Sequence, residues 1–126
     1  MIRHVVCFRM KEGCSAGEAK EMLLSMRGRE ETALSVEVGV DAVHSPRSYD
    51  LILIVTLEDF AALERYQTQG YHAHTVKPYM HSVTAGSVSV DYETAGEALW
   101  ARKAPGETPG HRNFIAAIGA AYIRFA

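Results

Sequence analysis

Residues 51–55 read Leu-Ile-Leu-Ile-Val, five apolar side chains with no polar interruption. Side chains of a strand point alternately to its two faces, so a strand of this composition needs apolar cover on both. The first strand candidate repeats the demand. Between Ile2 and Met10, one parity holds Ile2, His4, Val6 and Phe8, and the other holds Val5 and Cys7. Near the end of the same stretch of chain, Val88, Val90 and Tyr92 share a parity. A layer of helices covers one face of such a sheet. An apolar patch of several hundred Å² on the other face is something soluble monomers avoid. A second copy of the same sheet is the economical cover, which predicts an isologous two-fold homodimer.

The remaining elements follow from period and punctuation. Ser15-Ala16-Gly17-Glu18 is a capping-box pattern and predicts a helix over 16–29, with Ala19, Met22, Leu23 and Met26 on its buried face. Residues 34–40 alternate with period two and predict a half-buried strand. Tyr49–Leu57 is the third strand. A second helix is expected over 59–68, with Phe60, Leu63, Tyr66 and Gln67 near one stripe, broken by Gly70. A short helical segment near 71–77 is expected to end at Pro78, and a fourth strand to run over 83–92. The order is β-α-β-β-α-β, a ferredoxin-like α+β fold with a four-stranded antiparallel sheet and two helices on one face.

Composition narrows the function classes. The net charge is −2 and the basic residues are scattered, which leaves no footprint for nucleic acid or an anionic membrane. Cys7 and Cys14 read as free thiols, not a disulfide framework. The N-terminus runs straight into a strand pattern with no signal-peptide core and no membrane span, so a cytoplasmic location is expected. His72, His74 and His81 lie close in sequence, but the i, i+2 pair His72 and His74 diverges on a helix, and no metal site is expected. Phosphate loops, nucleophile elbows and dinucleotide fingerprints are lacking, and no cofactor is expected.

The opening Met1-Ile2-Arg3-His4-Val5-Val6-Cys7-Phe8-Arg9-Met10-Lys11, the stretch Ser45–Leu51, Leu63-Glu64-Arg65-Tyr66-Gln67 followed by His72, and Val88-Ser89-Val90-Asp91-Tyr92-Glu93 together resemble the stress-responsive A/B-barrel (Dabb) domain over residues 1–93. The resemblance implies homodimers whose sheets close an α/β barrel. Relatives include plant stress-associated proteins, bacterial proteins of unknown role and the polyketide cyclase olivetolic acid cyclase. In that enzyme a pocket between sheet and helices uses a Tyr and a His on the second helical stretch and a His on strand one. The matching positions are Tyr66, His72 and His4, and the strand residues Val6, Phe8, Leu53 and Val55 are the expected apolar lining.

A neutral imidazole can take a proton from an activated C–H or hydroxyl, and a tyrosine hydroxyl can donate to a developing oxyanion. Two readings of different class follow: a dimer whose pocket holds a small, partly apolar molecule, and a cofactor-free cyclase, isomerase or oxygenase. The sequence departs from the family at Gln69-Gly70-Tyr71-His72, where a His-Pro pair is common. Strand four offers Thr84, Gly86, Ser87 and Ser89 where the cyclase has large apolar groups, which argues against a long alkyl substrate.

Residues 94–126 lie beyond the resemblance. They read as a Pro- and Gly-containing linker followed by a segment with Phe114, Ile118, Tyr122 and Phe125 at helical spacing. The stripe fits a docked helix, and the composition fits an unstructured extension equally well.

Overall fold

The computed structural model describes residues 1–94; the C-terminal stripe Phe114–Phe125 lies outside them. Met1–Glu93 form one compact unit. Four strands, β1 (Ile2–Met10), β2 (Ala33–Val40), β3 (Leu51–Leu57) and β4 (Thr84–Glu93), pair antiparallel in the order β2-β3-β1-β4. Helix α1 (Ala16–Leu24) joins β1 to β2. Between β3 and β4 come α2 (Phe60–Thr68), a π-helical turn (His72–Val76) and α3 (Lys77–Val83). No described helix is long and apolar enough to cross a membrane.

The central strand shows the alternation that its composition demands. Leu51, Leu53, Val55 and Leu57 are buried, while Ile52, Ile54 and Thr56 on the opposite face are half-buried. The inward set packs with Ile2 of β1, Val36 of β2, Ala19 and Leu23 of α1, and Ala62 and Tyr66 of α2. Register extends the outward apolar row across the sheet. Ile54 pairs with Val5 and Val5 with Val90; Ile52 pairs with Cys7 and Cys7 with Val88. Val88 and Val90 remain 52% and 63% exposed in the protomer.

The helix starts follow their caps. The Ser15 hydroxyl accepts the Glu18 N–H at 3.1 Å, and the Asp59 carboxylate accepts the Ala62 N–H at 2.8 Å. Helix α1 is shorter than its apolar spacing implied. It closes at Leu24, and the chain continues in tight i→i−3 turns that carry Met26 into the core before Gly28 reverses direction at φ +80°. Met22 is half-buried. Phe60 is 57% exposed, because the inward stripe of α2 is Ala62 and Tyr66. Strand β3 starts at Leu51 instead of Tyr49. Asp50 instead spends its carboxylate on the Met10 N–H, at 2.6 Å, beside the irregular pairing at Arg9/Met10.

The largest difference lies around Pro78. The helical stretch does not end there: Pro78 sits in the first turn of α3, where its missing N–H costs nothing. Its ring instead disturbs the turn before it, since a helical proline crowds the carbonyl four residues back. The Lys77 N–H accordingly reaches five residues back to the His72 carbonyl, which defines the π-helical turn.

Candidate functional site

The inward side chains of β4 are Ser87, Ser89 and Asp91, which pair across the ladder with Phe8, Val6 and His4. They are too short to reach the helices. Over β2 and β3, Val36 and the leucines and valine of β3 fill the space between sheet and helices. Over β1 and β4 a cavity of about 190 Å³ stays open. Val6, Phe8 and Leu53 form its apolar floor, His4 and His72 its inner wall, and Lys77 and His81 stand towards its helical side.

His4 is 6% exposed and its Nδ1 lies 2.5 Å from Asp91 Oδ1. A carboxylate accepts, so Nδ1 carries the hydrogen and Nε2 is left as the basic nitrogen. His72 shows the same pattern by different means. Its Nδ1 lies 3.0 Å from the Tyr66 carbonyl oxygen, which can only accept, and so Nε2 is again the basic nitrogen. The Tyr66 ring touches both: it stacks on His72 at 3.9 Å between centroids and 9° between planes, and meets His4 in an edge contact at 5.5 Å.

Tyr66 therefore enters the site through its ring. The residue is fully buried and its hydroxyl is directed at Met26 Sδ, 3.7 Å away. A thioether is a weak acceptor. Burial, with the Glu30 carboxylate adding to it, raises the phenol well above its ordinary range and keeps it protonated. Val55 is likewise behind the cavity wall, in the core, while the other expected lining residues, Val6, Phe8 and Leu53, reach the cavity.

Burial pushes the His72 imidazole down to about 4; Lys77 adds to this, while the Tyr66 carbonyl and Glu30 oppose it. The ring is neutral at neutral pH. Two side chains of the arrangement escaped the sequence. Asp91 was invisible because 87 residues separate it from His4 and only the β1–β4 register joins them. Glu30 is 5% exposed and accepts the His72 backbone N–H at 2.7 Å, where a charged residue reads as surface. Among the described residues no group of three or more His, Cys, Asp or Glu side chains is placed to hold a metal ion.

An antiparallel β2-β3-β1-β4 sheet with helices on one face and a cavity beneath them defines a ferredoxin-like α+β domain. The chain belongs to the Stress responsive A/B Barrel Domain (Dabb) family, whose model matches residues 2–94. Solved structures share the fold. A dimeric ferredoxin-like protein of unknown function from Bacteroides fragilis is 16% identical, with a TM-score of 0.60 over 73% of this chain and 94% of that one. A Dabb family protein with a ferredoxin-like fold from Mesorhizobium loti is 21% identical, with a TM-score of 0.57 over 73% of this chain and 94% of that one. The hydroxynitrile lyase of Passiflora edulis is 14% identical, with a TM-score of 0.58 over 72% of this chain and 90% of that one. No curated protein matches the chain in sequence.

The neutral His72 has a thermodynamic signature. Its folded value of about 4 lies below the ordinary 6.5, so the unfolded chain binds the extra proton first as pH falls. Stability is expected to be intact above pH 6.5 and to decline between pH 6.5 and 4, by up to about 3 kcal/mol from this group. Urea unfolding across that range checks it: His72→Gln, which cannot titrate, should flatten the decline, and an unchanged slope would contradict a buried neutral ring.

Proposed function

We propose that this chain is a homodimeric module that binds a small, partly apolar molecule in the cavity between sheet and helices. The observation that carries the reading is the cavity itself: an apolar floor of Val6, Phe8 and Leu53 faced by polar groups at His4, His72, Ser87 and Ser89. A few placed polar groups over an apolar lining is the general character of a small-molecule site. The volume of about 190 Å³ falls below the roughly 300–1,000 Å³ of drug-sized sites, so it suits a single-ring compound such as a phenol or a cyclic ketone. Titration of a panel of small phenols and cyclic diketones, followed by backbone NMR shifts, is expected to give saturable changes on β1 and β4. Ser89→Trp fills the cavity from an exposed strand and should abolish those changes without lowering the melting temperature. Binding that survives this substitution would place the ligand elsewhere.

A second reading, proton-transfer catalysis without a cofactor, is favoured by one observation, the 2.5 Å contact between His4 and Asp91. A carboxylate that fixes the Nδ1–H tautomer leaves Nε2 to act as a base, as in the orienting half of a catalytic triad. His4 Nε2 can then remove a proton next to a carbonyl and, as the imidazolium so formed, return that proton to another atom of the same molecule, with His72 beside it in the cavity wall. A protein of this fold is named as a hydroxynitrile lyase. In this reading Tyr66 supplies a ring platform, since its hydroxyl faces Met26. Tyr66→Phe is therefore expected to leave turnover within about twofold and His4→Ala to abolish it. A hundredfold loss in Tyr66→Phe would return the hydroxyl to the chemistry.

The homodimer rests on the outward sheet face, where Val5, Cys7, Ile52 and Ile54 adjoin the exposed Val88 and Val90. Structural neighbours from Bacteroides fragilis and Thermobifida fusca are described as dimeric. Sedimentation at micromolar concentration should give a dimer. Ile54→Asp, which would bury an unpaired charge in the interface at a cost of several kcal/mol, should shift it to monomer. A wild-type monomer would refute the arrangement.

A further inference from the structure

Glu30, in the connection between α1 and β2, is an acidic side chain only 5% exposed. Such a group stays buried only when its oxygens are partnered. Oε2 accepts from the Thr32 hydroxyl at 2.6 Å and the Thr32 N–H at 3.2 Å. Oε1 accepts the His72 N–H at 2.7 Å, across 42 residues of sequence. That N–H opens the π-helical turn and belongs to the donors that no helix satisfies internally. No side chain of the turn's own neighbourhood caps it. Gly70, at φ +83°, brings the chain so close that a Cβ there would stand 3.5 Å from both carboxylate oxygens.

We propose that Glu30 is a positioning residue for His72, holding the first amide of the π-helical turn so that the imidazole stays stacked on Tyr66 in the cavity wall. The chain of contacts is continuous. Thr32 orients the carboxylate, the carboxylate anchors the His72 backbone, the Tyr66 carbonyl anchors the ring nitrogen, and the Tyr66 ring fixes the plane. Glu30 itself does not line the cavity. Its charge also favours the protonated imidazole through space, against the stronger effect of burial. The inference rests on His72 being a functional side chain of the proposed site, but its test needs neither ligand nor turnover.

The test reads the His72 ring by NMR in the full chain, with His72→Gln to assign the signal. A ring parallel to Tyr66 at 3.9 Å is shifted upfield by the phenol's ring current. Glu30→Gln keeps a carbonyl oxygen for the His72 N–H and removes the charge; it should retain the upfield shift while His72 takes up its proton at lower pH than in the wild type. Glu30→Ala removes both and should return the signal towards its free-histidine position. An unmoved upfield signal in folded Glu30→Ala overturns the proposal. Should that variant fail to fold, Thr32→Val withdraws only the hydroxyl that orients Oε2; a partial downfield move of His72 supports the proposal and an unchanged signal overturns it. If no phenol or diketone binds the wild type, the pocket reading falls while these signals still report on Glu30.

Discussion

The fully buried ring of Tyr66 is the contact around which the site is assembled. One face lies flat against His72, His4 makes an edge contact with it, and the hydroxyl ends on Met26. Those neighbours come from the π-helical turn, β1 and the end of the α1 region, so a single side chain ties three separate stretches of chain to α2. An aromatic ring of this size contributes packing area and a preferred geometry at the same time. The imidazoles it contacts are each committed at Nδ1, one to a carboxylate and one to a backbone carbonyl. What remains variable is only what meets their Nε2 atoms.

The sheet divides its labour between centre and edge. Strand β3 is fully used: its inward residues carry the core and its outward residues carry the apolar face. Strand β4, at the edge, presents serines and an aspartate inward and valines outward. Swapping that pattern would fill the cavity and leave the outer face polar. The open space and the apolar outer face are therefore two results of one alternation. A sheet period of two makes them inseparable, because a one-residue slip of β4 would exchange both at once.

Much of the architecture was legible because strands and caps are local signals. The apolar run of residues 51–55, the Ser15 cap and the break at Gly70 each act over a few residues. Errors arose where distant groups competed with local ones. Apolar spacing extended α1 through Met26, yet the chain buries Met26 from a tight turn instead. Phe60 suited a helical stripe, but the core chose Ala62 and Tyr66. Pro78 read as a stop and turned out to start a helix, since proline is tolerated in a first turn. At the site, His4, Tyr66 and His72 entered through the family resemblance, and the structure sets their rings side by side. Asp91 and Glu30 could not be read, because their partners are set by strand register and by a chain crossing at Gly70, neither of which leaves a mark in spacing.

A π-helical turn amounts to one extra residue accommodated inside a helix. Removing any residue from 72–76 would let the stretch close as an ordinary α-turn, rotating everything on one side of it by about 100° relative to the other. The change comes in whole-residue steps, because each backbone N–H bonds to the carbonyl of one residue or of the next along the helix. The bearing of the His72 imidazole is thus a digital setting. Substitutions along this helical arm can loosen or tighten the ring in its place, but a gain or loss of one residue would throw it to a different side of the protein altogether.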